Sequence, residues 1–353
     1  MPGPDVVIRL SGLTFYPYSL LLESAWTTSG GARTARQGWL VRAVLDGIAG
    51  FGDCPVDVPG HDGLTACAED IDLLAQRLTG APLAEALVSL DGLGMAQAAV
   101  ECALLDAQSR LMGLSLRHRL DARAADSVAV NAVATLAGLG DALEDGFSVI
   151  KLKVGLRPVE DEIAALSALR LPPGARLRLD ANRAWDWDRA ARFLDALAGM
   201  PIDSVEEPLA DPDPARLAAL QGQTPIPLAL DESLTRFDPG AILANPPVRR
   251  LILKLGAVGG LRTSLAFARS ARRAGLDCVV TSRLDSAVGV AAAAHLAAAL
   301  DADGEALAHG LATSSWLAAD VARPLVVQKG RLSFAPVPGL GIAPNLPLCP
   351  CSP

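Results

Sequence analysis

The segment RLRLDANRAWD, residues 176–186, sets the architecture of this chain. Its first half alternates arginine and leucine and closes on an acidic residue, Asp180, and its second half leads into a helical pattern that starts near Asp188. A short strand followed at once by a helix is the building unit of parallel β/α architectures. The same unit recurs on both sides of this segment, so a repeat is predicted.

Five ionisable residues close apolar runs at a nearly constant spacing. Successive members lie 27, 26, 25 and 23 positions apart, in the order Lys153, Asp180, Glu206, Asp231 and Lys254. That length holds one strand, one helix and two short loops, which is one β/α unit of a barrel. Because the carboxyl ends of barrel strands meet on one face, we expect these five residues to be neighbours.

The repeat predicts an α/β fold with a (β/α)8-type barrel, a modified TIM barrel. An open doubly wound sheet would need a Gly-rich dinucleotide turn after its first strand, and the sequence has none there. The predicted strands are 128–133, 148–153, 176–180, 202–206, 227–231, 250–254, 277–282 and 306–309. The main helices between them are 157–169, 188–198, 213–221, 260–274 and 286–300.

The N-terminal part follows a different pattern. Strands are predicted at 6–13, 19–26, 38–45 and 47–53, with a turn at 29–31, and helices follow at 61–78 and 83–113, the second broken near 92–94. Strands followed by helices indicate an α+β domain. We therefore predict an N-terminal α+β capping domain (1–125), a catalytic barrel of seven or eight units (126–324), and a C-terminal segment (325–353) that returns over the cap with a strand pair near Gly330.

Composition argues against several classes of function. The 353 residues carry a formal charge of −8 without a basic run, which argues against a nucleic-acid partner. No stretch approaches the ~18 apolar residues of a membrane span, and the start MPGPDVVIRL lacks the pattern of a secretory signal, so a cytoplasmic location is expected. The six cysteines form no C-x-x-C pair and are expected to be reduced, with oxidation or metal binding left open for Cys349 and Cys351 in the tail.

Three of the repeated residues are carboxylates, and they suggest a metal site. Asp180, Glu206 and Asp231 are hard oxygen ligands with no histidine or thiolate among them, which favours Mg²⁺, with Mn²⁺ as the alternative, over zinc. The competing interpretation is that each acid caps the helix after it. Three acids that themselves close consecutive strands favour the metal site.

The lysines suggest bases on either side of that metal. Lys151 and Lys153 are two residues apart and point to the same face of their strand, towards the barrel interior, where an unpaired lysine is costly. Lys254 lies on the other side of the acids. A lysine near another cation and a divalent metal has its neutral form favoured, which makes it a base near neutral pH. The alternative is that these lysines are merely exposed at strand ends.

Further polar residues follow the same strands. Asn182 is expected either to contact the metal shell or to form an Asx turn. Glu207 and Glu232 each follow a proposed ligand and either orient the lysines or are ordinary loop acids. Ser282 and Arg283, next to Asp285, are candidates for binding a substrate carboxylate.

Taken together, the motifs resemble the muconate lactonizing enzyme subgroup of the enolase superfamily. They are K-x-K at 151–153, D-A-N at 180–182, E-E-P at 206–208, D-E-S at 231–233, and Lys254 ahead of a Gly-Gly pair. The resemblance implies that the three acids bind Mg²⁺. It also implies that Lys153 and Lys254 are the acid/base pair on opposite faces of a small carboxylate substrate, and it is compatible with a homo-oligomer.

Within the subgroup the chain looks most like the o-succinylbenzoate synthases, through VNA at 130–132, LDANRAW at 179–185, TSRLDSAVG at 281–289 and LAHGLAT at 307–313. That implies a hydro-lyase of menaquinone biosynthesis. Such an enzyme dehydrates 2-succinyl-6-hydroxy-2,4-cyclohexadiene-1-carboxylate to 2-succinylbenzoate, with α-proton abstraction by a lysine and a metal-stabilised enediolate. N-acylamino acid racemases, dipeptide epimerases and muconate cycloisomerases use the same site and remain alternatives, although Asp285 alone, without a D-x-D motif, counts against a dipeptide.

Overall fold

The computed structural model describes residues 7–28, 31–56, 61–90 and 94–345. Cys349 and Cys351, and residues 29–30 of the predicted turn, lie outside these ranges. Within them, no helix has both the length and the apolar character needed to cross a membrane.

The chain begins with a three-stranded antiparallel sheet, formed by β1 (Leu10–Thr28), β2 (Gly31–Leu45) and β3 (Ile48–Pro55) in that order. The prediction of two strands at 6–13 and 19–26 is wrong, because β1 continues through residues 14–18, which separate the two predicted strands. Pro17 lies opposite Trp39 in the ladder. Since β1 is an edge strand, the missing N–H of proline does not interrupt the sheet.

Four helices follow this sheet: α1 (His61–Leu78), α2 (Leu83–Val88), α3 (Met95–Leu111) and α4 (Leu116–Leu120). Helix α3 lies very close to β3, and two glycines make this possible. A Cβ atom at Gly52 would stand 1.9 Å from the carbonyl oxygen of Ala99, and one at Gly50 would stand 2.2 Å from that of Ala103. The predicted break of the long helix near 92–94 is confirmed, since α2 ends and α3 begins on either side of it.

The second half contains a seven-stranded parallel sheet, in which each strand pairs with the next along the chain. Its strands are β5 (Ala132–Ala134), β6 (Val149–Lys153), β7 (Arg176–Asp180), β8 (Ile202–Glu206), β9 (Leu228–Leu230), β10 (Arg250–Leu253) and β11 (Asp277–Val280). The register places Lys153 beside Asp180 and Asp180 beside Glu206. The sheet thus brings the predicted residues together at its carboxyl edge.

Two predicted barrel strands differ from the structure. The strand at 128–133 is split into β4 (Ser127–Ala129), which pairs elsewhere, and β5. The eighth strand at 306–309 is absent as a strand and is replaced by isolated bridges from His309 to Val130 and from Gly310 to Thr281. The His309 ring accepts the Val280 N–H at 3.0 Å, so a side chain takes the donor that a strand backbone would have bound. An eight-stranded barrel is therefore not confirmed.

The helices alternate with these strands. They are α5 (Leu139–Glu144), α6 (Val159–Ser167), α7 (Trp187–Ala196), α8 (Pro214–Gly222), α9 (Pro239–Ala244), α10 (Leu255–Val258), α11 (Gly260–Arg273) and α12 (Ala287–Asp301). Helix α12 is buried on all sides because it packs against β11, α11, α4 and the cap strand β3. This explains its Ala-rich sequence, since a helix without an exposed face is apolar all round.

The C-terminal segment forms the predicted hairpin near Gly330, with β12 (Val326–Gln328) and β13 (Arg331–Ser333). Strand β13 pairs with β4, and Gly339 exchanges backbone hydrogen bonds with Leu114 and Leu116. One apolar cluster includes Leu40 and Phe51 of the first sheet as well as the parallel sheet. The boundaries at 125 and 324 stay a prediction.

Candidate active site

The five repeated residues lie at one edge of the parallel sheet. Lys153, Asp180 and Glu206 are the last residues of β6, β7 and β8, while Asp231 and Lys254 directly follow β9 and β10. All five line a cavity of about 440 Å³. The neighbourhood that the spacing predicts is therefore present in the fold.

Lysines and carboxylates are in direct contact in this cavity. The Lys151 Nζ lies 2.8 Å from Asp180 Oδ2 and 2.5 Å from Glu206 Oε2, so it bridges the two acids. The Lys153 Nζ donates to Asp180 Oδ2 at 2.8 Å and to Asn182 Oδ1 at 2.5 Å. Only four lysines occur in the whole sequence, and three of them are in this site.

On the far side of the acids, the Lys254 Nζ lies 2.6 Å from Asp231 Oδ1 and 3.6 Å from Glu232 Oε1. Lys153 and Lys254 thus approach the carboxylates from different strands, at opposite ends of the group. Lys153 is more than a third exposed, whereas Lys254 is mostly buried.

Contact with the acids controls the charge of the amines. Burial lowers the pKa of Lys151, but Glu206 and Asp180 outweigh it and hold that pKa well above its ordinary value. The pKa of Lys254 is likewise raised, because Asp231 and Glu232 outweigh the effect of burial. The sequence predicted lysines whose neutral form is favoured. The contacts of Lys151 and Lys254 with the carboxylates favour the charged form instead, so a neutral amine requires a cation bound at the same acids.

The carboxylates respond differently from one another. Burial raises the pKa of Glu206, and the nearby charges of Asp180 and Asp231 raise it further against the opposing effect of Lys151. Burial likewise raises the pKa of Asp231. The pKa of Asp180 is lowered, because contacts with Lys151 and Lys153 outweigh its burial. Three mutually repelling acids in one buried place need positive charge beside them.

The three acids are a donor set that suits a divalent cation. Among the described residues, no group of three or more His, Cys, Asp or Glu side chains is arranged to hold a metal ion as it stands, since the Lys151 amine lies between Asp180 and Glu206. The second oxygen of Glu206, Oε1, is nevertheless buried without a hydrogen-bond partner. A buried carboxylate oxygen without a partner is costly, and together with the all-oxygen donor set it fits Mg²⁺.

Helix capping does not explain these acids. The caps are provided by other residues: Asp186, Asp213 and Asp238 each accept backbone N–H groups at the start of α7, α8 and α9. Asp231, which precedes a short 3-10 turn at Glu232–Arg236, makes no capping hydrogen bond. Asp231 is therefore not a helix cap. The helices that follow Asp180 and Glu206 are capped by Asp186 and Asp213, so capping does not require Asp180 or Glu206 either.

Two neighbouring residues have clear roles in the geometry. Asn182 adopts a positive φ of 45° and binds Lys153. Glu207, also at positive φ, contacts neither lysine but accepts the backbone N–H groups of Asp231 and Ser233 at 2.7 and 2.9 Å. Glu207 therefore fixes the turn that carries Asp231, a role that differs from the lysine orientation considered from the sequence.

The predicted substrate-binding residues line the same cavity. Ser282 shares a hydrogen bond of 2.7 Å with Thr313, and Arg283 lies beyond it. Asp285 does not line this cavity but a smaller one behind it.

Sequence reasoning missed several lining residues: Arg36, Asn131, Arg178, Thr313 and Trp316. Arg178 sits beneath the acids, donates to Asn131 Oδ1 at 2.9 Å and binds Asp203. A signal for Arg178 was its position two residues before Asp180 on the same strand face. Arg36 comes from β2, far away in sequence, and carried no local signal.

Comparisons with known proteins assign the family. A model described as "Enolase C-terminal domain-like" matches residues 134–347. The chain is 30% identical over 275 residues to muconate cycloisomerase 1 of Pseudomonas putida, covering 71% of this chain and 72% of the relative. The chain belongs to the enolase superfamily. Members of this superfamily are enzymes and typically use Mg²⁺.

Individual relatives have different activities. An o-succinylbenzoate synthase of Thermobifida fusca is 36% identical over 205 residues, which is 56% of this chain and 62% of that protein. A substrate-liganded complex of the L-Ala-D/L-Glu epimerase from Bacillus subtilis superposes with a TM-score of 0.84 at 25% identity, covering 95% of this chain and 98% of that one. The predicted superfamily and the muconate lactonizing type are confirmed, while the relatives themselves differ in the reaction they catalyse.

Proposed function

We propose that this enzyme is an o-succinylbenzoate synthase, a hydro-lyase of menaquinone biosynthesis. Its substrate would be 2-succinyl-6-hydroxy-2,4-cyclohexadiene-1-carboxylate and its product 2-succinylbenzoate. The observation that carries the proposal is the charge of the cavity lining, in which a carboxylate cluster lies between Lys153 and Lys254 and four arginines add further positive charge.

Positive charge is in excess in this cavity although the chain as a whole is acidic. Among the described lining residues, seven are basic and four are acidic, against a formal charge of −8 for the chain. The basic ones are Arg33, Arg36, Lys151, Lys153, Arg178, Lys254 and Arg283. Such an excess favours a substrate with two carboxylates, and guanidinium groups bind a carboxylate well.

The absence of a suitable acid argues against a substrate with an ammonium group. The acids that line the described cavity are Asp180, Glu206, Asp231 and Glu232, and Glu232 is close to Lys254. Asp285 accepts the Arg283 N–H and faces the smaller cavity. A dipeptide would therefore place its ammonium near arginines. This supports a dicarboxylic acid without an amino group.

In the proposed mechanism, Asp180, Glu206 and Asp231 would hold Mg²⁺. When bound, the ion would supply the positive charge that stabilises negative charge developing on the substrate carboxylate. Lys153 removes the proton from the α-carbon and delivers a proton to the departing hydroxyl, so that one C–H and one C–O bond break and water leaves. Lys254 stays an ammonium on the other face and stabilises the intermediate. Arg283, with Arg33 and Arg36, binds the second carboxylate.

The test is a panel of acids presented to the purified enzyme with Mg²⁺: the cyclohexadiene acid, cis,cis-muconate, N-acylamino acids and dipeptides. We expect aromatic product from the cyclohexadiene acid with kcat/KM at least about 10⁴ M⁻¹s⁻¹, in the ordinary range for enzymes. A higher kcat/KM on any other member of the panel would contradict the proposal.

A racemase or cycloisomerase would use the same lysines and is the second candidate, because a cycloisomerase and an epimerase are among the proteins that this chain resembles. Solvent deuterium separates these cases. A racemase needs both Lys153 and Lys254 as working bases and incorporates deuterium into recovered N-acylamino acid, whereas a synthase leaves that compound unlabelled.

A further inference from the structure

Two acids meet behind Arg283, at the junction between the first sheet and the barrel. Asp53 belongs to β3, and Asp285 precedes α12. The Tyr18 hydroxyl donates to Asp53 Oδ1 at 2.7 Å, and the Ser286 N–H donates to Asp53 Oδ2 at 2.9 Å. A cap residue thus holds the start of a barrel helix, and neither acid takes part in the mechanism above.

Gly289 allows both acids to approach the same point on α12. A Cβ atom there would stand 2.5 Å from Asp53 Oδ2 and 2.6 Å from the Cβ of Asp285. Asp53 and Asp285 are both half-buried at this point. Two carboxylates that are partly shielded from water repel each other unless a proton is shared between them.

One oxygen of this pair needs a donor. Asp285 Oδ2 accepts the Arg283 N–H at 3.1 Å, whereas Asp285 Oδ1 is buried and has no hydrogen-bond partner. A carboxylic acid on Asp53 is a suitable donor for that oxygen, because each of its oxygens keeps a lone pair for Tyr18 or Ser286. Burial and the negative charge of Asp285 raise the pKa of Asp53 to about 7.

The other polar groups around the pair keep their charge near neutral pH. Burial raises the pKa of Tyr18, from β1, and of Cys102, from α3, well above their ordinary values, so both are neutral. Arg36, from β2, and Arg283, from the loop itself, are guanidinium groups and stay positive. Asp320, which accepts the Ala287 N–H at the start of α12, is another carboxyl whose pKa burial raises, so the response of the Ser286 N–H is measured separately from that of Ala287.

We propose that Asp53 and Asp285 share one proton and that this acid pair fastens the cap sheet to the loop 281–286, thereby positioning Arg283 in the substrate cavity. When the proton is lost, two negative charges face each other across the junction and the contact loosens. The consequence for substrate affinity rests on the proposed function, in which Arg283 binds the second carboxylate.

Hydrogen exchange tests the junction without any assay of activity. The Ser286 N–H, bound to Asp53, is followed as a single amide by NMR between pH 6 and 8.5, after correction for intrinsic exchange. We expect protection to fall about tenfold over this range in the wild-type enzyme. In Asp53→Asn, whose amide is a permanent donor, protection should be the same at every pH, and Asp285→Asn should behave likewise.

Asp46→Asn is the matched control, because Asp46 is an exposed acid of the same sheet at a φ of 44°, which asparagine tolerates. It should keep the wild-type pH dependence. Constant protection in the wild type, or a wild-type pH dependence in Asp53→Asn, would overturn the proposal. With the cyclohexadiene acid, KM should rise with pH in the wild type and stay level in Asp53→Asn, while kcat follows the same profile in both. If hydrogen exchange behaves as expected but the enzyme does not turn over the cyclohexadiene substrate, the proposal for Asp53 and Asp285 is supported and the proposed function is contradicted.

Discussion

Lys153 is the residue on which the proposed proton transfer depends. It is the most exposed of the three site lysines and contacts both Asp180 and Asn182, so it is held in the cavity while its amine remains accessible. Replacing it with alanine should lower kcat by about 10²–10⁴-fold, the usual contribution of a general base. Affinity for Mg²⁺, measured by calorimetry, should stay within a few-fold, because the three acids remain.

The control for this substitution is Lys329→Ala, which removes the only lysine outside the site, at an exposed turn of the β12–β13 hairpin. It should leave kcat unchanged. A Lys153→Ala enzyme that keeps a tenth or more of the wild-type rate would show that another group removes the proton.

Glu207 should matter for the metal without touching it. Its carboxylate binds the backbone of Asp231 and Ser233 and the Ser233 hydroxyl, which fixes the turn that presents Asp231. Glu207→Ala should weaken Mg²⁺ binding about 10–100-fold, as expected when support behind a ligand is lost. Glu207→Gln keeps an accepting oxygen and the same positive φ, and should lose much less. Equal losses in the two variants would contradict this role.

For single residues, the sequence predicted the positions of the acids and lysines correctly, because each closes a strand of a regular repeat. It did not predict the bridge of Lys151 between Asp180 and Glu206, since a contact between side chains of different strands depends on rotamers and packing. It also missed Arg36, which enters the cavity only because the first sheet folds over the barrel.

Among the elements, β3 and α3 are in very close contact. Gly52 leaves room for the Ala99 carbonyl, and any side chain there would force the helix away from the sheet. Gly52→Ala should therefore lower the free energy of unfolding by about 1–3 kcal/mol, the usual cost of overpacking. Denaturant unfolding followed by circular dichroism measures it.

Gly12→Ala provides the comparison, since Gly12 is also in a strand of the first sheet, but a Cβ atom added there would meet no other atom within 4 Å. Its effect should stay within about 0.5 kcal/mol, as for other surface changes. A similar loss of unfolding free energy in both variants would show that the effect comes from the backbone freedom of glycine and not from the close packing of α3.

Element prediction succeeded where the local pattern decided the structure. Strands β7 and β8 were predicted to the residue, because each is a short segment with apolar residues that closes on a carboxylate of the repeat. It failed at 306–309, where the His309 side chain binds a strand donor, and at 128–133, which is divided between two sheets. At 128–133 the cause is pairing with β13, about two hundred residues away, and at 306–309 it is a hydrogen bond to a side chain. A local sequence pattern indicates neither.

For the whole molecule, His295 in α12 connects distant parts of the chain. Its Nδ1 accepts the Arg117 N–H at 2.9 Å, and its Nε2 lies 3.1 Å from the Leu340 carbonyl, to which it donates. Burial lowers the pKa of His295 to about 3. In the unfolded chain the imidazole has a pKa near 6.5, so between about pH 6.5 and 3 the unfolded state binds a proton that the folded state does not.

Stability should therefore fall as the pH decreases below about 6.5, by about 2 kcal/mol between pH 6.5 and 5 from this group alone. Urea unfolding at several pH values measures it, and His295→Gln isolates it, since glutamine does not titrate. The difference in unfolding free energy between wild type and variant should shrink towards low pH. A constant difference would mean that His295 has an ordinary pKa.

The family, the order of strands and helices in the barrel, and the five residues at the strand ends could all be predicted from the sequence, because period, spacing and residue type are local properties of the chain. Which charges meet was settled by the three-dimensional fold: the lysine between two acids, the arginines from the first sheet, and the carboxyl pair of Asp53 and Asp285. The physical reason is that the pKa of a buried group and the hydrogen bonds it makes depend on what packs against it, and here those neighbours lie on separate elements that folding alone brings together.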